Sequence, residues 1–125
     1  MFPNDRRYTE EHEWVQAGDG AAAVGVTDFA QKELGDIVYV ELPEIGRVVA
    51  SGEVLGTIES VKAVSEFYAP VSGTVAEVNR VLNDKPETIN LDAHGAGWIC
   101  KLTLAAPGEM DALMDAAAYE KHVGA

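Results

Sequence analysis

The feature that most constrains the fold of this chain is a pair of apolar runs, over residues 54–58 and 64–71, which are separated by a short link. Each run carries the β-branched and aromatic residues that are typical of strands. The short link predicts a β-hairpin with residues 59–63 at its tip. Side chains at such a tip point away from the core, so we expect Lys62 to lie in water. The apolar positions of the two runs are Val54, Leu55, Ile58, Val64, Phe67, Tyr68 and Val71.

An earlier part of the chain predicts a second hairpin followed by a helix. Residues 14–16 and 22–26 read as strands around Ala17-Gly18-Asp19-Gly20, whose composition is typical of a tight turn. Thr27 has the hydroxyl expected of a helix N-cap, and Gly35 is suited to end a short helix over Asp28–Leu34. Further strands are expected over residues 36–42, around residues 68–78 and over residues 98–104.

The two ends and one internal segment have weaker strand patterns. Residues 1–7 are polar and contain Pro3, so a loose arm is expected there, and residues 79–96 read as a loop. A C-terminal helical segment is expected over residues 107–123, beginning at Pro107. Its apolar positions Met110, Leu113, Met114 and Ala117 recur at helical spacing, and Asp115 can cap a second short turn.

Composition excludes several classes of function for what we expect to be a single domain of 125 residues. The net charge of −12 disfavours nucleic-acid binding, because phosphates are repelled. The apolar runs are too short for a membrane span. The single Cys100, on a strand beside apolar residues, suggests a buried thiol in a reducing compartment. The N-terminus lacks the apolar stretch of a signal peptide, so a cytoplasmic location is expected.

Catalytic motifs are not evident. His12-Glu13 begins like a zinc-protease motif, but Gln16 stands where the second histidine is required. The three histidines are scattered, so no metal site is expected. No nucleophile elbow, P-loop or dinucleotide fingerprint occurs. The absence of a catalytic constellation favours a carrier or binding role.

The segment Glu59-Ser60-Val61-Lys62-Ala63-Val64-Ser65 resembles the lipoylation site of glycine cleavage system H proteins. Further blocks resemble the same family in the same order along nearly the whole chain. These blocks are His12-Glu13-Trp14, Gly25-Val26-Thr27-Asp28-Phe29-Ala30, Leu34-Gly35-Asp36-Ile37-Val38-Tyr39-Val40-Glu41-Leu42-Pro43 and Gly97-Trp98. So many ordered blocks indicate membership of the family rather than a chance match at one lysine.

The resemblance implies a mostly β fold, a lipoyl/biotinyl-type flattened β-barrel or sandwich (hybrid hammerhead). A short helix would follow the first hairpin, and a helical tail would close the chain. It also implies lipoate in amide linkage to Lys62, flanked by Glu59, Ser60, Val61 and Ala63. A lipoate-attaching enzyme would load this lysine. The chain itself would be a non-catalytic swinging-arm carrier, since the difficult chemistry belongs to the cofactor and the partner enzymes.

The implied partners are the three enzymes of glycine cleavage. The arm would receive an aminomethyl group and an electron pair from glycine decarboxylase, which uses pyridoxal phosphate. It would pass the aminomethyl group to tetrahydrofolate in the aminomethyltransferase. Dihydrolipoamide dehydrogenase would then reoxidise the arm with FAD and NAD.

The resemblance also implies that the loaded arm shelters against the carrier's own surface. Glu13 matches the glutamate of the family's His-Glu-Trp block, with His12 beside it, and Glu66 stands where aspartate is common. These three residues are the candidates for sheltering the arm. Two positions depart from the family pattern: Glu11 replaces a small hydroxyl residue, and Ala96 replaces an acid before Gly-Trp.

Four alternatives use the same lysine differently or not at all. A lipoyl relay would donate lipoate to other lipoyl domains. A biotin carrier shares the architecture, but its lysine is usually flanked by methionines rather than Val61 and Ala63. A Schiff-base enzyme would need Lys62 desolvated in a pocket. An unmodified interaction module would leave the lysine free.

Overall fold

The computed structural model describes residues 2–18 and 20–124 and is built mainly from two antiparallel β-sheets. The larger sheet has the strand order β1-β2-β3-β9-β8-β5, and the smaller has the order β4-β6-β7. The strands are β1 (Arg7–Tyr8), β2 (Glu13–Gln16), β3 (Ala22–Val26), β4 (Ile37–Glu41), β5 (Val48–Val49), β6 (Val54–Ser60), β7 (Val64–Tyr68), β8 (Gly73–Val78) and β9 (Cys100–Leu104). The mostly β fold expected from the sequence is therefore confirmed.

The main hydrophobic core receives side chains from both sheets. Val24 and Leu102 come from the larger sheet, and Ile58 and Phe67 come from the smaller one. Each is at most 2% exposed, and burying side chains of this size contributes about 1.5–3 kcal/mol apiece. Cys100 is fully buried in the same core, as its strand position suggested. This core holds the β6–β7 hairpin as one edge of a rigid body.

Helix α1 (Asp28–Leu34) forms where its caps predicted it. The Thr27 hydroxyl oxygen accepts a hydrogen bond from the Ala30 amide at 3.2 Å. Gly35 follows the helix with φ 79° and ψ −157°, which is a conformation that glycine adopts far more easily than other residues. The first hairpin also forms, with a positive φ at Gly20, although Asp19 of its expected turn lies outside the described residues.

Strand β4 does not follow the simple alternation that its sequence suggests. The alternation pairs Ile37 with Tyr39 on one face and Val38 with Val40 on the other. Instead, Ile37 and Val40 are buried, whereas Val38 and Tyr39 are 53% and 51% exposed. A register shift between residues 37 and 39 causes the difference, because two steps along β4 match one step along β6. Such a bulge redirects the side chains that follow it.

Residues 79–96 are not the loop that their polar sequence predicted. They contain two short helices, α2 (Val81–Asp84) and α3 (Thr88–Leu91). Each places one apolar side chain, Leu82 or Ile89, in the core. A helix of four residues with one buried apolar side chain is too short to give a periodic signal in the sequence. The following strand β9 also starts two residues later than expected, at Cys100.

The expected loose arm over residues 1–7 is wrong for residues 2–7, and Met1 lies outside the described residues. Phe2 packs edge-to-face on Tyr119 with ring centroids 4.8 Å apart. The Arg6 guanidinium lies 4.5 Å from the Trp14 ring centroid and donates a hydrogen bond to the His94 carbonyl at 2.7 Å. These partners are remote in sequence, so local polarity gave no sign of them.

The expected C-terminal helical segment is interrupted in its middle. A 3₁₀ helix covers Pro107–Ala112, and helix α4 covers Ala116–His122 with Asp115 as its N-cap. Between them the chain is extended, and Met114 exchanges two backbone hydrogen bonds with Tyr8, at 2.8 and 3.0 Å. Leu113 and Met114 therefore lie outside any helix. No helix among the described residues has the length and apolarity to cross a membrane.

Candidate functional site: the Lys62 hairpin and its cleft

Lys62 lies at the tip of the β6–β7 hairpin and is exposed. The last cross-strand pair is Glu59 with Val64. Beyond it, Ser60 closes the tip, because its amide donates to the Ala63 carbonyl at 2.8 Å and its hydroxyl oxygen accepts from the Ala63 amide at 3.1 Å. The small residues around Lys62 thus make a tight turn that presents one long side chain to solvent.

The tip is held against the corner between α1 and β4. The Val61 amide donates to the Asp36 carbonyl at 2.9 Å. The Lys62 side chain passes over Gly35, where an added Cβ would lie 3.4 Å from the lysine Cε. Glycine at this corner therefore leaves room for the lysine methylenes. The tip is consequently tied to the body of the protein and does not project as a free flap.

Asn90 organises the same corner and was not identified from the sequence. Its side-chain oxygen accepts from the Ile37 amide, and its side-chain nitrogen donates to the Gly35 carbonyl and to the Gln31 side chain, all at 2.9 Å. Asn90 lies in the segment that was expected to be a loop. A single asparagine in such a segment carries no local signal, so only the fold reveals this role.

A cleft of about 200 Å³ brings together the three residues expected to shelter the arm. His12, Glu13 and Glu66 all line it. The cleft lies between α1, the start of β2 and the edge strand β7. Its apolar walls are formed by Val26, Phe29, Leu34, Ile58 and Phe67. Glu11, one of the departures from the family pattern, also lines it.

Glu13 is almost completely buried, at 2% exposure. Its Oε1 accepts from the Thr9 hydroxyl at 2.5 Å, and its Oε2 accepts from the Tyr68 backbone amide at 3.2 Å. Burial raises the pKa of the Glu13 carboxyl, and these two hydrogen bonds only partly oppose the shift. Within residues 2–18 and 20–124 the ion pairs join Arg6 to Asp5 and Lys32 to Asp28, so neither involves Glu13.

His12 has a left-handed backbone, with φ 72°, which turns its ring toward the C-terminal helix. Its Nδ1 lies 2.8 Å from the Tyr119 hydroxyl, which in turn lies 2.7 Å from the Thr27 hydroxyl. Burial lowers the pKa of His12, which favours the neutral ring. With its proton on Nε2, the neutral ring accepts from the Tyr119 hydroxyl at Nδ1, and in that arrangement Tyr119 can accept from Thr27. Tyr119, which the sequence did not single out, thus links α4 to the cleft wall.

A larger cavity, of about 430 Å³, lies on the other side of Glu13. It is lined by Tyr68, Ala69 and Pro70 at the far end of β7 and by Met114 before α4. Glu13 borders both cavities. In chain order, the smaller cleft meets β7 at residues 65–67 and is therefore closer to Lys62 than the larger cavity is. The larger of these two cavities is therefore the one farther from Lys62 along β7.

Neither a metal-binding cluster nor a reactive thiol is found in the described part of the chain. Among residues 2–18 and 20–124, no group of three or more His, Cys, Asp or Glu side chains is arranged to hold a metal ion. Burial raises the pKa of the Cys100 thiol to about 12, so it is not a nucleophile near neutral pH.

Comparison with known proteins gives the family directly. The family model described as glycine cleavage H-protein matches residues 6–125. The chain belongs to the glycine cleavage H-protein family. It is 56% identical over 124 residues to the glycine cleavage system H protein of Laribacter hongkongensis, with 98% of each chain covered. It is also 56% identical over 120 residues to the corresponding protein of Listeria welshimeri, with 96% of each covered.

A solved structure supports the fold of the family. The crystal structure of a glycine cleavage system H protein from Mycobacterium marinum matches with a TM-score of 0.92 and 41% identity. The match covers 99% of this chain and 100% of that one. The family resemblance and the lipoyl-type fold expected from the sequence are both confirmed.

Proposed function

We propose that Lys62 carries lipoate and that the cleft shelters the loaded arm. The general role follows from the family: the chain is a lipoyl carrier protein of the glycine cleavage system. It shuttles an aminomethyl group from glycine decarboxylase to the tetrahydrofolate-dependent aminomethyltransferase, and dihydrolipoamide dehydrogenase reoxidises the arm. When bound, lipoate supplies the dithiolane that accepts the aminomethyl group and an electron pair. A cytoplasmic location belongs to the same proposal.

The single observation that carries the proposal is the exposed Lys62 on a closed, anchored hairpin tip. An enzyme can reach its amine, and the small neighbours Ser60 and Ala63 do not obstruct the approach. A Schiff-base enzyme would need this amine desolvated in a pocket, which its exposure argues against. We therefore propose that the chain is a carrier without catalytic activity of its own.

Reach selects which cavity shelters the arm. Lysine plus lipoyl extends about 14 Å from ordinary bond lengths. Residues on a strand are about 3.3 Å apart, so residues 65–67 of the cleft lie about 10–16 Å along the chain from Lys62. Tyr68 to Pro70 of the larger cavity lie about 20–26 Å away on the same scale. On this measure the smaller cleft is the nearer of the two cavities to an arm on Lys62 and is the one we assign to it.

The chemistry of the cleft suits a chain that is apolar along its length and cationic at its end. Phe29, Ile58 and Phe67 offer apolar contact and exclude water from the arm. Glu13 is a buried carboxyl without a described cationic partner, so the cargo's ammonium group would stabilise its ionised form. Glu66 borders the same cleft on edge strand β7, but it is exposed and shares the outward row of Glu41 and Thr57, so we assign it a weaker, long-range contribution to the negative charge near the cargo.

His12 would act on the other wall of the cleft. Its ring packs against Phe29, with centroids 4.8 Å apart, while its Nδ1 is engaged by Tyr119. In its neutral form it adds no positive charge beside the cargo. We assign it a positioning role for Phe29 rather than a contact with the amine.

The test of attachment is the intact mass of protein purified from lipoate-supplied cells. Wild type should gain one lipoyl increment, and Lys62→Arg should gain none. Lys85→Arg, the same change at another exposed lysine, is the control and should be loaded like wild type. A biotin increment captured on streptavidin would favour a biotin carrier. Transfer of the lipoyl group to other lipoyl domains would favour a relay.

The test of sheltering is the stability of the cargo. Protein loaded with the aminomethyl group loses it to water as formaldehyde and ammonia. We expect Glu13→Gln to release it several-fold faster than wild type, and the exposed Glu77→Gln to match wild type. Equal release from Glu13→Gln and wild type would remove Glu13 from the proposal without affecting Lys62.

A further inference from the structure

An exposed apolar patch lies beside Lys62 on the outer face of the small sheet. It consists of Val38, Tyr39, Val61 and Val64, and we call it the Tyr39 patch. The exposed fractions of these residues are 53%, 51%, 68% and 67% respectively. None of the four belongs to the core between the sheets. Their exposure is therefore not explained by packing within the fold.

Strand register places two members of the patch in one row. Tyr39 pairs with Glu59, and Glu59 pairs with Val64. Adjacent strands lie about 4.8 Å apart, so the Cα atoms of Tyr39 and Val64 are about 10 Å apart across the row. Val61 follows in the tip, next to Lys62. The patch thus lies on both sides of Glu59 of the central strand, at the lysine end of the sheet.

The bulge in β4 creates this patch. Without the register shift, alternation would turn Tyr39 to the same face as the buried Ile37. The bulge leaves Ile37 inside and turns Tyr39 outward. Bulges are often found where a side chain must be redirected beside a functional site. The bulge, which the alternating sequence of β4 did not predict, is therefore what exposes Tyr39 on this surface.

The neighbouring row of outward-facing side chains on the same sheet is polar and not apolar. It consists of Glu41, Thr57 and Glu66, which are all polar. Exposed sheet faces are ordinarily solvated by side chains of this kind. On this face the apolar exposure is confined to the end that carries Lys62, where Glu59 adds negative charge between Tyr39 and Val64 and Asp36 adds negative charge beside the tip. A partner that fits this surface has an apolar contact area bordered by basic groups.

We propose that the Tyr39 patch is the docking surface for the enzyme that forms the lipoyl amide on Lys62. This inference rests on the proposed attachment of lipoate to that residue. Reach decides among the partners. The lysine amine lies only about 6 Å from its own Cα, so the attaching enzyme must contact the hairpin itself. Enzymes that use the finished arm meet its end about 14 Å away and need not touch this face.

The step at this surface is an acyl transfer. The free-base amine of Lys62 attacks the carbonyl carbon of a lipoyl group activated as a mixed anhydride with a nucleotide phosphate, such as an acyl adenylate. The new C–N bond forms, the nucleotide phosphate leaves with the electron pair of the broken C–O bond, and the nitrogen, which carries an extra proton after the attack, releases that proton to solvent. The hydrogen bond from the Val61 amide to the Asp36 carbonyl ties the tip to the body of the protein. Docking at the patch therefore fixes the position of the amine.

The test uses the full chain in its unlipoylated form with a lipoate–protein ligase, lipoate and ATP. The variants are Tyr39→Thr, Val64→Thr and the double variant, since threonine keeps strand propensity while removing apolar surface. Val48→Thr is the matched control, because Val48 is 75% exposed on the larger sheet. Initial rates are followed by intact mass over a range of carrier concentrations. Samples lipoylated to completion are then assayed with dihydrolipoamide dehydrogenase.

We expect the double variant to lose about tenfold in kcat/KM for lipoylation, mainly through KM, because a few central apolar contacts usually dominate an interface. Val48→Thr and the dehydrogenase rates should stay at the wild-type level. A folded double variant that is lipoylated at the wild-type rate overturns the inference. If the lipoylated double variant also reacts about tenfold more slowly with dihydrolipoamide dehydrogenase, the patch is not specific to the attaching enzyme, and the choice of partner is overturned. Wild type that accepts no lipoate on Lys62 overturns the proposed function itself, which separates the two failures.

Discussion

The Tyr119 hydroxyl lies 2.8 Å from Nδ1 of His12, which joins the last helix of the chain to the wall of the cleft between α1 and β7. The same hydroxyl lies 2.7 Å from Thr27, the N-cap of α1. One side chain therefore connects three elements that are distant in sequence. The C-terminal helix is thus part of the support for the cleft rather than only a cover for the sheet.

Tyr119→Phe should destabilise the fold by about 1–2 kcal/mol, because it removes the shared hydroxyl and leaves buried polar partners unsatisfied. The ring and its stacking on Tyr8, at a centroid distance of 4.8 Å, are retained. Urea unfolding measures the loss. Tyr39→Phe is the control, since that ring is half-exposed, and it should leave stability unchanged. A Tyr119→Phe protein as stable as wild type would show that water replaces the hydroxyl.

The buried carboxyl of Glu13 should make stability depend on pH. Burial raises its folded-state pKa above the ordinary value of 4.5, so ionisation costs more in the folded than in the unfolded protein. The contribution of Glu13 to the free energy of unfolding is therefore largest below the ordinary pKa of 4.5. It falls as pH rises through the raised pKa of the folded state. Glu13→Gln lacks this titration, so its stability relative to wild type should improve as pH rises from about 4.5 through the raised pKa.

Urea unfolding of both proteins across that range gives the slope. Glu77→Gln removes the same charge from an exposed residue on β8 and serves as the control. If wild type instead becomes more stable relative to Glu13→Gln as pH rises, the hydrogen bonds from Thr9 and Tyr68 stabilise the carboxylate by more than burial destabilises it.

Gly35→Ala should lower the free energy of unfolding by about 1–3 kcal/mol, since its φ of 79° and ψ of −157° are strained for any residue with a Cβ. The added methyl group would also contact the Lys62 side chain. Gly108→Ala is the control, because nothing lies within 4 Å of a Cβ built there. Thermal or urea unfolding compares the two, and similar stabilities would argue against the backbone strain.

Cys100 should resist alkylation in the native protein. It is fully buried, and its pKa of about 12 leaves almost no thiolate at pH 8. Iodoacetamide followed by intact mass should give no adduct on the native chain and one adduct in urea. Rapid labelling under native conditions would reveal opening of the core around β9.

Local sequence signals determined much of the framework. Thr27 and Gly35 predicted both ends of α1 because capping depends on neighbouring backbone groups alone. Residue types around the tip predicted the hairpin and the position of Lys62, since strand pairing across a short link is a local event. The ordered motif blocks predicted the family and with it the fold.

Only the tertiary structure decided the features that depend on residues remote in sequence. The burial of Glu13 needs Thr9 and the edge of β7, the link from His12 needs Tyr119, and the order of residues 2–7 needs Trp14 and Tyr119. The outward turn of Tyr39 comes from the register between β4 and β6. The sequence by itself therefore determined where the arm is expected to be attached. Packing between distant elements decided what surrounds it, because burial and register arise only when those elements meet.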